Sequence, residues 1–230
     1  MISKILALLL SLLSLSQTTL DAYIDETNLG GNLFLVNRTY MLDREYVPED
    51  LVKPNVLKTS EDITMRQEAA RALEEMFQCA LTEGGFTLQA VSGYRAYNTQ
   101  AAIFERKINN TGSKKKAQLL VAPAGSSEHQ LGLAMDVGRK TNTDLNKGFG
   151  ATPEGIWVAE NAHRFGYIIR YKKEWTEITG YAYEPWHIRY VGKEHAERIY
   201  ALDIPLEHYI EQLQKAAFGE RMMAAGGVQQ

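Results

Sequence analysis

Apolar positions recur along this chain with two different periods, and the change from one to the other marks the elements. Within 62–82, Ile63, Ala70, Leu73, Phe77 and Ala80 return at three- and four-residue steps, the spacing of one helix face. Gly84 and Gly85 stop that helix. Residues 32–40 are rich in aliphatic and aromatic side chains and predict a strand, as does the alternating stretch 86–94. A second helix is expected over 98–109 with Asn98 as its N-cap, followed by a polar loop over 110–125. Residues 131–137 read as a buried strand. Thr152, Pro153 and Glu154 supply an N-cap, a proline at the first helical position and an early acid, and that helix runs to Gly166. Stretches 167–171 and 186–191 are β-like, 204–217 is a last amphipathic helix, and 219–230 is expected to be a frayed, flexible tail. Helices and short strands that do not strictly alternate predict an α+β domain spanning 25–215.

Composition narrows the possibilities. The chain has 230 residues, of which 45% are hydrophobic and 23% charged, enough for one domain with a sizeable core. With 25 basic and 28 acidic residues its formal charge is −3, which argues against a nucleic-acid partner held by bulk charge. The single cysteine, Cys79, excludes an internal disulfide framework and a cysteine-rich zinc site. It lies beside the apolar stripe of the first long helix and is expected to be a packed thiol. Lys114, Lys115 and Lys116 predict a solvated patch, with contact to an acidic wall polymer as the alternative. Lys4 is the only charge before Asp21 and precedes an apolar run, 5–15, broken only by Ser11 and Ser14. A membrane span needs about 20 residues. The run fits a secretory leader over 1–22, and the alternative is a short uncleaved anchor. Export to the cell envelope or beyond is therefore expected, with no membrane contact other than that segment.

Two of the five histidines sit in unusual company. The first lies in Ser127-Glu128-His129-Gln130-Leu131-Gly132-Leu133-Ala134-Met135-Asp136. His129 and Asp136 are seven apart, which on a straight strand puts them on opposite faces. A bend at Gly132 lets them converge, with Ala134 small enough to leave room. Imidazole and carboxylate are good zinc ligands, and an aspartate in an apolar strand needs a partner. The bland alternative is a satisfied core Asp136 and a surface His129. In the second segment, Glu184-Pro185-Trp186-His187-Ile188-Arg189, Pro185 breaks regular pairing, so Glu184 and His187 can face one cavity. His187 would complete a site of two histidines and one carboxylate, with Glu184 beside it to move a proton. The alternative there is a Pro-Trp turn whose histidine packs on Trp186. His163 reads as structural, and His195 and His208 as solvated helical residues.

Together the two segments match Ser-x-His-x-x-Gly-x-Ala-x-Asp followed by Glu-x-x-His. With 92–100, 160–171 and 35–52, they make the chain resemble the zinc D-alanyl-D-alanine carboxypeptidases of the VanY type and their L,D-carboxypeptidase relatives, over roughly 33–200. The resemblance implies one zinc ion on His129, Asp136 and His187, with Glu184 as catalytic base. It gives Arg95 the family arginine's role at the substrate, and Ser127 and Gln100 hydrogen bonds to the substrate peptide. Tyr171 is a candidate for the pocket wall. The implied protein is a monomeric single domain with a small mixed or antiparallel sheet carrying the zinc site, flanked by helices. Its implied activity is removal of the terminal D-alanine from peptidoglycan stem peptides. The alternatives are an L,D-carboxypeptidase acting on tetrapeptides and a non-catalytic zinc module that binds wall peptide.

Overall fold

The computed structural model describes residues 28–226, with side chains up to 216. The expected leader over 1–22 lies outside the described residues. No helix among them is long and apolar enough to cross a membrane.

A short antiparallel pair, β1 (Leu51–Val52) and β2 (Met65–Arg66), leads into helix α1 (Gln67–Gly84). Strand β3 (Leu88–Ser92) follows, then α2 (Tyr97–Thr111), α3 (Lys114–Gln118) and β4 (Ala134–Arg139). Helix α4 (Pro153–Asn161), β5 (Tyr167–Tyr171), α5 (Thr176–Thr179), β6 (Glu184–Tyr190), α6 (Lys193–Leu202) and α7 (Leu206–Gly226) complete the chain. The main sheet is antiparallel in the order β3-β4-β6-β5. The last strand in sequence thus lies inside the sheet.

Strand alternation divides this sheet into two chemically different faces. Met135, Val137, Tyr167, Ile169, Ile188 and Tyr190 point to one side, where they share a core with Leu73, Met76 and Ala80 of α1. Asp136, Arg170, His187 and Arg189 occupy the intervening positions and are all buried. Where helices α6 and α7 and the lead-in segment close over that second side, Leu33, Leu35, Ile168, Ile199, Leu206 and Ile210 form a smaller cluster.

Several expected boundaries move, each for a local reason. Residues 32–40 form no strand: Gly31–Leu33 is a 3-10 turn. The backbone beyond it pairs with side chains instead of a ladder, since Leu35 exchanges hydrogen bonds with the Asn28 amide at 2.8 and 3.1 Å. Helix α1 starts at Gln67 and not near 62, because Met65 and Arg66 are paired in β2. Helix α2 starts at Tyr97, with Ala96 and not Asn98 at the N-cap. The expected loop over 110–125 contains α3, whose N-cap Ser113 accepts from the Lys116 amide at 3.3 Å. Residues 131–133 belong to a turn, and β4 begins at Ala134. Thr152 does cap α4, accepting from the Gly155 amide at 3.1 Å. The last helix runs on to Gly226, so the described part of the expected frayed tail is helical. Cys79 is half-buried, not fully packed, and its thiol donates to Glu83 at 3.0 Å. His163 stacks on Tyr200 at 3.7 Å between ring centroids. His195 is half-buried, with its Nδ1 2.9 Å from the Tyr209 hydroxyl, while His208 is exposed.

Gly132 is the hinge between the turn and β4. Its φ is +74°, a left-handed conformation, and an added Cβ would lie 2.9 Å from Arg66 Cγ and 3.2 Å from Leu51 Cδ2. Its carbonyl accepts from the Arg66 amide at 2.9 Å, so the β1–β2 pair sits against it. Gly132→Ala is expected to cost about 1–3 kcal/mol. Urea unfolding checks this, and an unchanged midpoint would show that the turn relaxes freely.

Candidate active site

The three candidate ligands are placed by the turn and by register. Asp136 of β4 stands directly opposite His187 of β6. His129 reaches the same point from the turn before Gly132, where its Nδ1 lies 2.7 Å from the Gly93 carbonyl. Facing atoms of the three side chains all fall within 4.8 Å of one another, and all three are buried.

Hydrogen bonding fixes which nitrogens face inward. A carbonyl only accepts, so His129 carries its proton on Nδ1 and turns the Nε2 lone pair toward Asp136 Oδ2, 3.3 Å away. Among the described residues that nitrogen has no hydrogen-bond donor. His187 lies between two carboxylates, with Nε2 3.3 Å from Glu128 and Nδ1 3.1 Å from Asp136. Two imidazole nitrogens therefore converge on one buried carboxylate, and only a cation or a proton between them satisfies all three. This donor set, two nitrogens and one oxygen with a cleft on the open side, fits zinc.

The same contacts split the two histidines. Burial lowers His129, with Arg95 adding to the effect, to about 4. Burial alone would lower His187 too, but its hydrogen bonds to Asp136 and Glu128 prevail and hold it at about 9. Burial opposes the charge on Asp136 and on Glu128. For Asp136 the two histidines overcome it, and for Glu128 the arginines 170 and 189 do, so both stay well below the usual carboxylate range.

All eight residues singled out in the sequence, His129, Asp136, His187, Glu184, Arg95, Gln100, Ser127 and Tyr171, line one cleft of about 340 Å³. Regular alternation would set Glu184 and His187 on opposite faces. The β5–β6 register shifts between the pairs Ile169–Ile188 and Tyr171–Glu184, and the irregularity at Pro185 and Trp186 returns Glu184 to the His187 side. Among the described residues nothing donates a hydrogen bond to the Glu184 carboxylate, and burial pushes it up to about 7. Arg95 Nη1 donates to Gln100 at 2.9 Å and Nη2 lies 3.4 Å from Asp136, while the Gln100 amide donates to the Ala122 carbonyl at 2.7 Å. His187 packs against Tyr171 and His129, at 5.0 and 4.9 Å between centroids.

Three buried residues around this centre escaped the sequence reading. Glu128 accepts from Arg170 Nε and Arg189 Nη1, both at 2.8 Å, on the oxygen that faces away from His187. A signal was present: Arg170 and Arg189 interrupt apolar strands, and a buried guanidinium requires a carboxylate. The sequence did not say which acid would meet them.

Comparison with known proteins agrees with this geometry. Residues 62–193 match the family model described as VanY, D-alanyl-D-alanine carboxypeptidase. A Bacillus subtilis protein provisionally named carboxypeptidase YodJ is 47% identical over 188 residues, covering 80% of this chain and 68% of that protein. A D-alanyl-D-alanine carboxypeptidase of Enterococcus faecium is 35% identical over 211 residues, covering 87% and 64%. The chain thus spans about two thirds of the length of these two relatives. The structure of the LdcB LD-carboxypeptidase superposes with a TM-score of 0.72 at 48% identity, over 77% of this chain and 84% of that one. A mutant of the D,D-pentapeptidase VanY from a VanB-type resistance cassette, in complex with Zn(II), superposes with 0.67 at 34%, over 78% and 98%. With the family model spanning more than half of its length and this metal centre inside the matched region, the chain belongs to the VanY D-alanyl-D-alanine carboxypeptidase family.

Proposed function

We propose that this chain is an exported, monomeric zinc carboxypeptidase that removes the C-terminal D-alanine from peptidoglycan stem peptides. The observation that carries the reading is the convergence of His129, Asp136 and His187 on one side of a cleft that also holds Glu184 and Arg95. His129 Nε2, Asp136 and His187 Nδ1 would hold the metal. Zinc bound there supplies Lewis acidity to the scissile carbonyl and lowers the pKa of a water.

The remaining chemistry belongs to the chain. Burial raises Glu184 to about 7 and Asp136 adds to the rise, against the pull of His187 and Arg95. A carboxylate poised near neutrality takes the proton of the attacking water and returns it to the departing D-alanine. Arg95, held by Gln100, presents donors to the terminal carboxylate or to the negative charge that grows on the carbonyl oxygen. Ser127 and Gln100 offer hydrogen bonds to the peptide, and Tyr171 walls the pocket beside His187.

A second reading, L,D-carboxypeptidase action on tetrapeptide stems, is favoured by one observation, the 48% identity to LdcB. D-Alanine release from a pentapeptide ending D-Ala-D-Ala and from a tetrapeptide ending L-centre-D-Ala, each with and without chelator, separates the two. Chelator-sensitive release from the pentapeptide is expected. Release from the tetrapeptide alone would move the assignment to L,D, and release from neither would leave a wall-peptide binding module. Glu184→Gln is expected to retain stoichiometric zinc and to lose about 10²–10⁴-fold in kcat; a near-normal rate would remove Glu184 from its role. In chelator-treated protein, nitrogen-15 NMR is expected to show His129 titrating near 4 and His187 near 9. The raised His187 value means that its stabilising contribution is complete below 6.5 and disappears as pH rises through 9. Two histidines titrating together near 6.5 would contradict the hydrogen-bond pattern.

A further inference from the structure

Glu128 takes no part in the chemistry above, yet its side chain is 0% exposed and its carboxylate meets Arg170, Arg189 and His187. One of its oxygens satisfies both arginines, at 2.8 Å each. The other oxygen faces His187 Nε2, at 3.3 Å. Neutralising the arginines does not require that second oxygen to face a ring nitrogen.

The arginines are themselves anchored away from the cleft. Arg170 Nη1 and Nη2 grip the two oxygens of Glu207, at the start of α7, at 2.9 and 2.6 Å. Arg189 Nη2 donates to the carbonyls of Asn32 and Phe34 in the lead-in segment, at 2.9 and 2.7 Å, and its Nε donates to the Tyr190 carbonyl at 3.0 Å. A continuous line of charged hydrogen bonds thus runs from α7 and the lead-in, through two guanidiniums, to Glu128 and His187.

We propose that Glu128 is a positioning residue: it fixes His187 with its proton on Nε2 and its Nδ1 lone pair toward the metal, and is itself fixed from outside the cleft by Arg170, Arg189 and Glu207. The physical basis is that neutral imidazole has one N–H, and the acceptor that takes it decides which nitrogen can ligate. A carboxylate behind the ring also raises the basicity of the ligating nitrogen. Because Glu128 is set by its neighbours, metal affinity depends on a residue of α7 that touches neither metal nor substrate. This inference rests on the zinc reading of the cleft.

The test measures zinc affinity of the full chain by competition with a chromogenic chelator, together with nitrogen-15 NMR of His187 in the zinc-loaded protein. Glu128→Gln is expected to weaken zinc binding about 10–100-fold, because the two arginines hold the amide oxygen and the NH2 left facing Nε2 donates and cannot accept the ring proton. Glu207→Ala leaves the cleft untouched and is expected to weaken zinc binding in the same direction, by several-fold, with cooperative unfolding retained; it serves where the first variant fails to fold. His187 in the wild type is expected to show a protonated Nε2 and a metal-shifted Nδ1. A folded Glu128→Gln protein that binds zinc within twofold of wild type overturns the proposal. So does an unchanged Glu207→Ala protein where the first does not fold, and so does ligation through Nε2. A wild type that binds no zinc would instead sink the underlying zinc reading, which keeps the two failures apart.

Discussion

Two imidazole nitrogens aimed at one buried carboxylate make an arrangement that is unfavourable unless a positive charge stands between them. That constraint organises the rest of the molecule. Asp136 and His187 can meet because they are paired across adjacent strands, and His129 can join them because the chain turns back at Gly132. The carbonyl of Gly93 and the carboxylate of Glu128 then take the outward protons of the two rings. Remove either acceptor and the inward-facing nitrogen is no longer specified.

The sheet reconciles this polar centre with a stable core by keeping them on opposite faces. On one side, Met135, Val137, Ile169 and Ile188 pack with α1 in the way expected of any α+β domain. On the other, Asp136, His187, Arg170 and Arg189 are buried away from water, and each is matched by an opposite charge or a directed hydrogen bond. Buried charges are tolerable only when so matched. The two register irregularities, one in β3 before Ser92 and one in β6 at Pro185 and Trp186, bring further polar side chains onto the same face.

The site was more legible in the sequence than its surroundings. Motif spacing located the cleft residues because turns and bulges leave marks, a glycine at 132 and a proline at 185. The helices were legible from their apolar period, yet their starts were not: α1 yields its first residues to β2, and α2 is capped by Ala96, for reasons that lie in tertiary pairing. Residues 32–40 had the composition of a strand, but their backbone groups are taken by Asn28 and Arg189, partners 7 and 155 residues distant in the nearest cases. Glu128 was hidden for the same reason, since nothing local distinguishes an acid that will meet two arginines from one that will face water.

Strand order has a consequence for how the molecule comes to exist. Because β6 lies between β4 and β5 but follows both in sequence, β4 lacks its second partner and β5 its only one until residues 184–190 arrive. A chain that has emerged only as far as β5 presents two open edges with unsatisfied backbone groups, the situation that invites pairing with other molecules. Closing the gap joins segments far apart in sequence, which slows folding compared with local hairpins. The strand that closes it also carries His187 and Glu184, so the metal centre and the proton-transferring group are assembled in the same late event that removes the exposed edges.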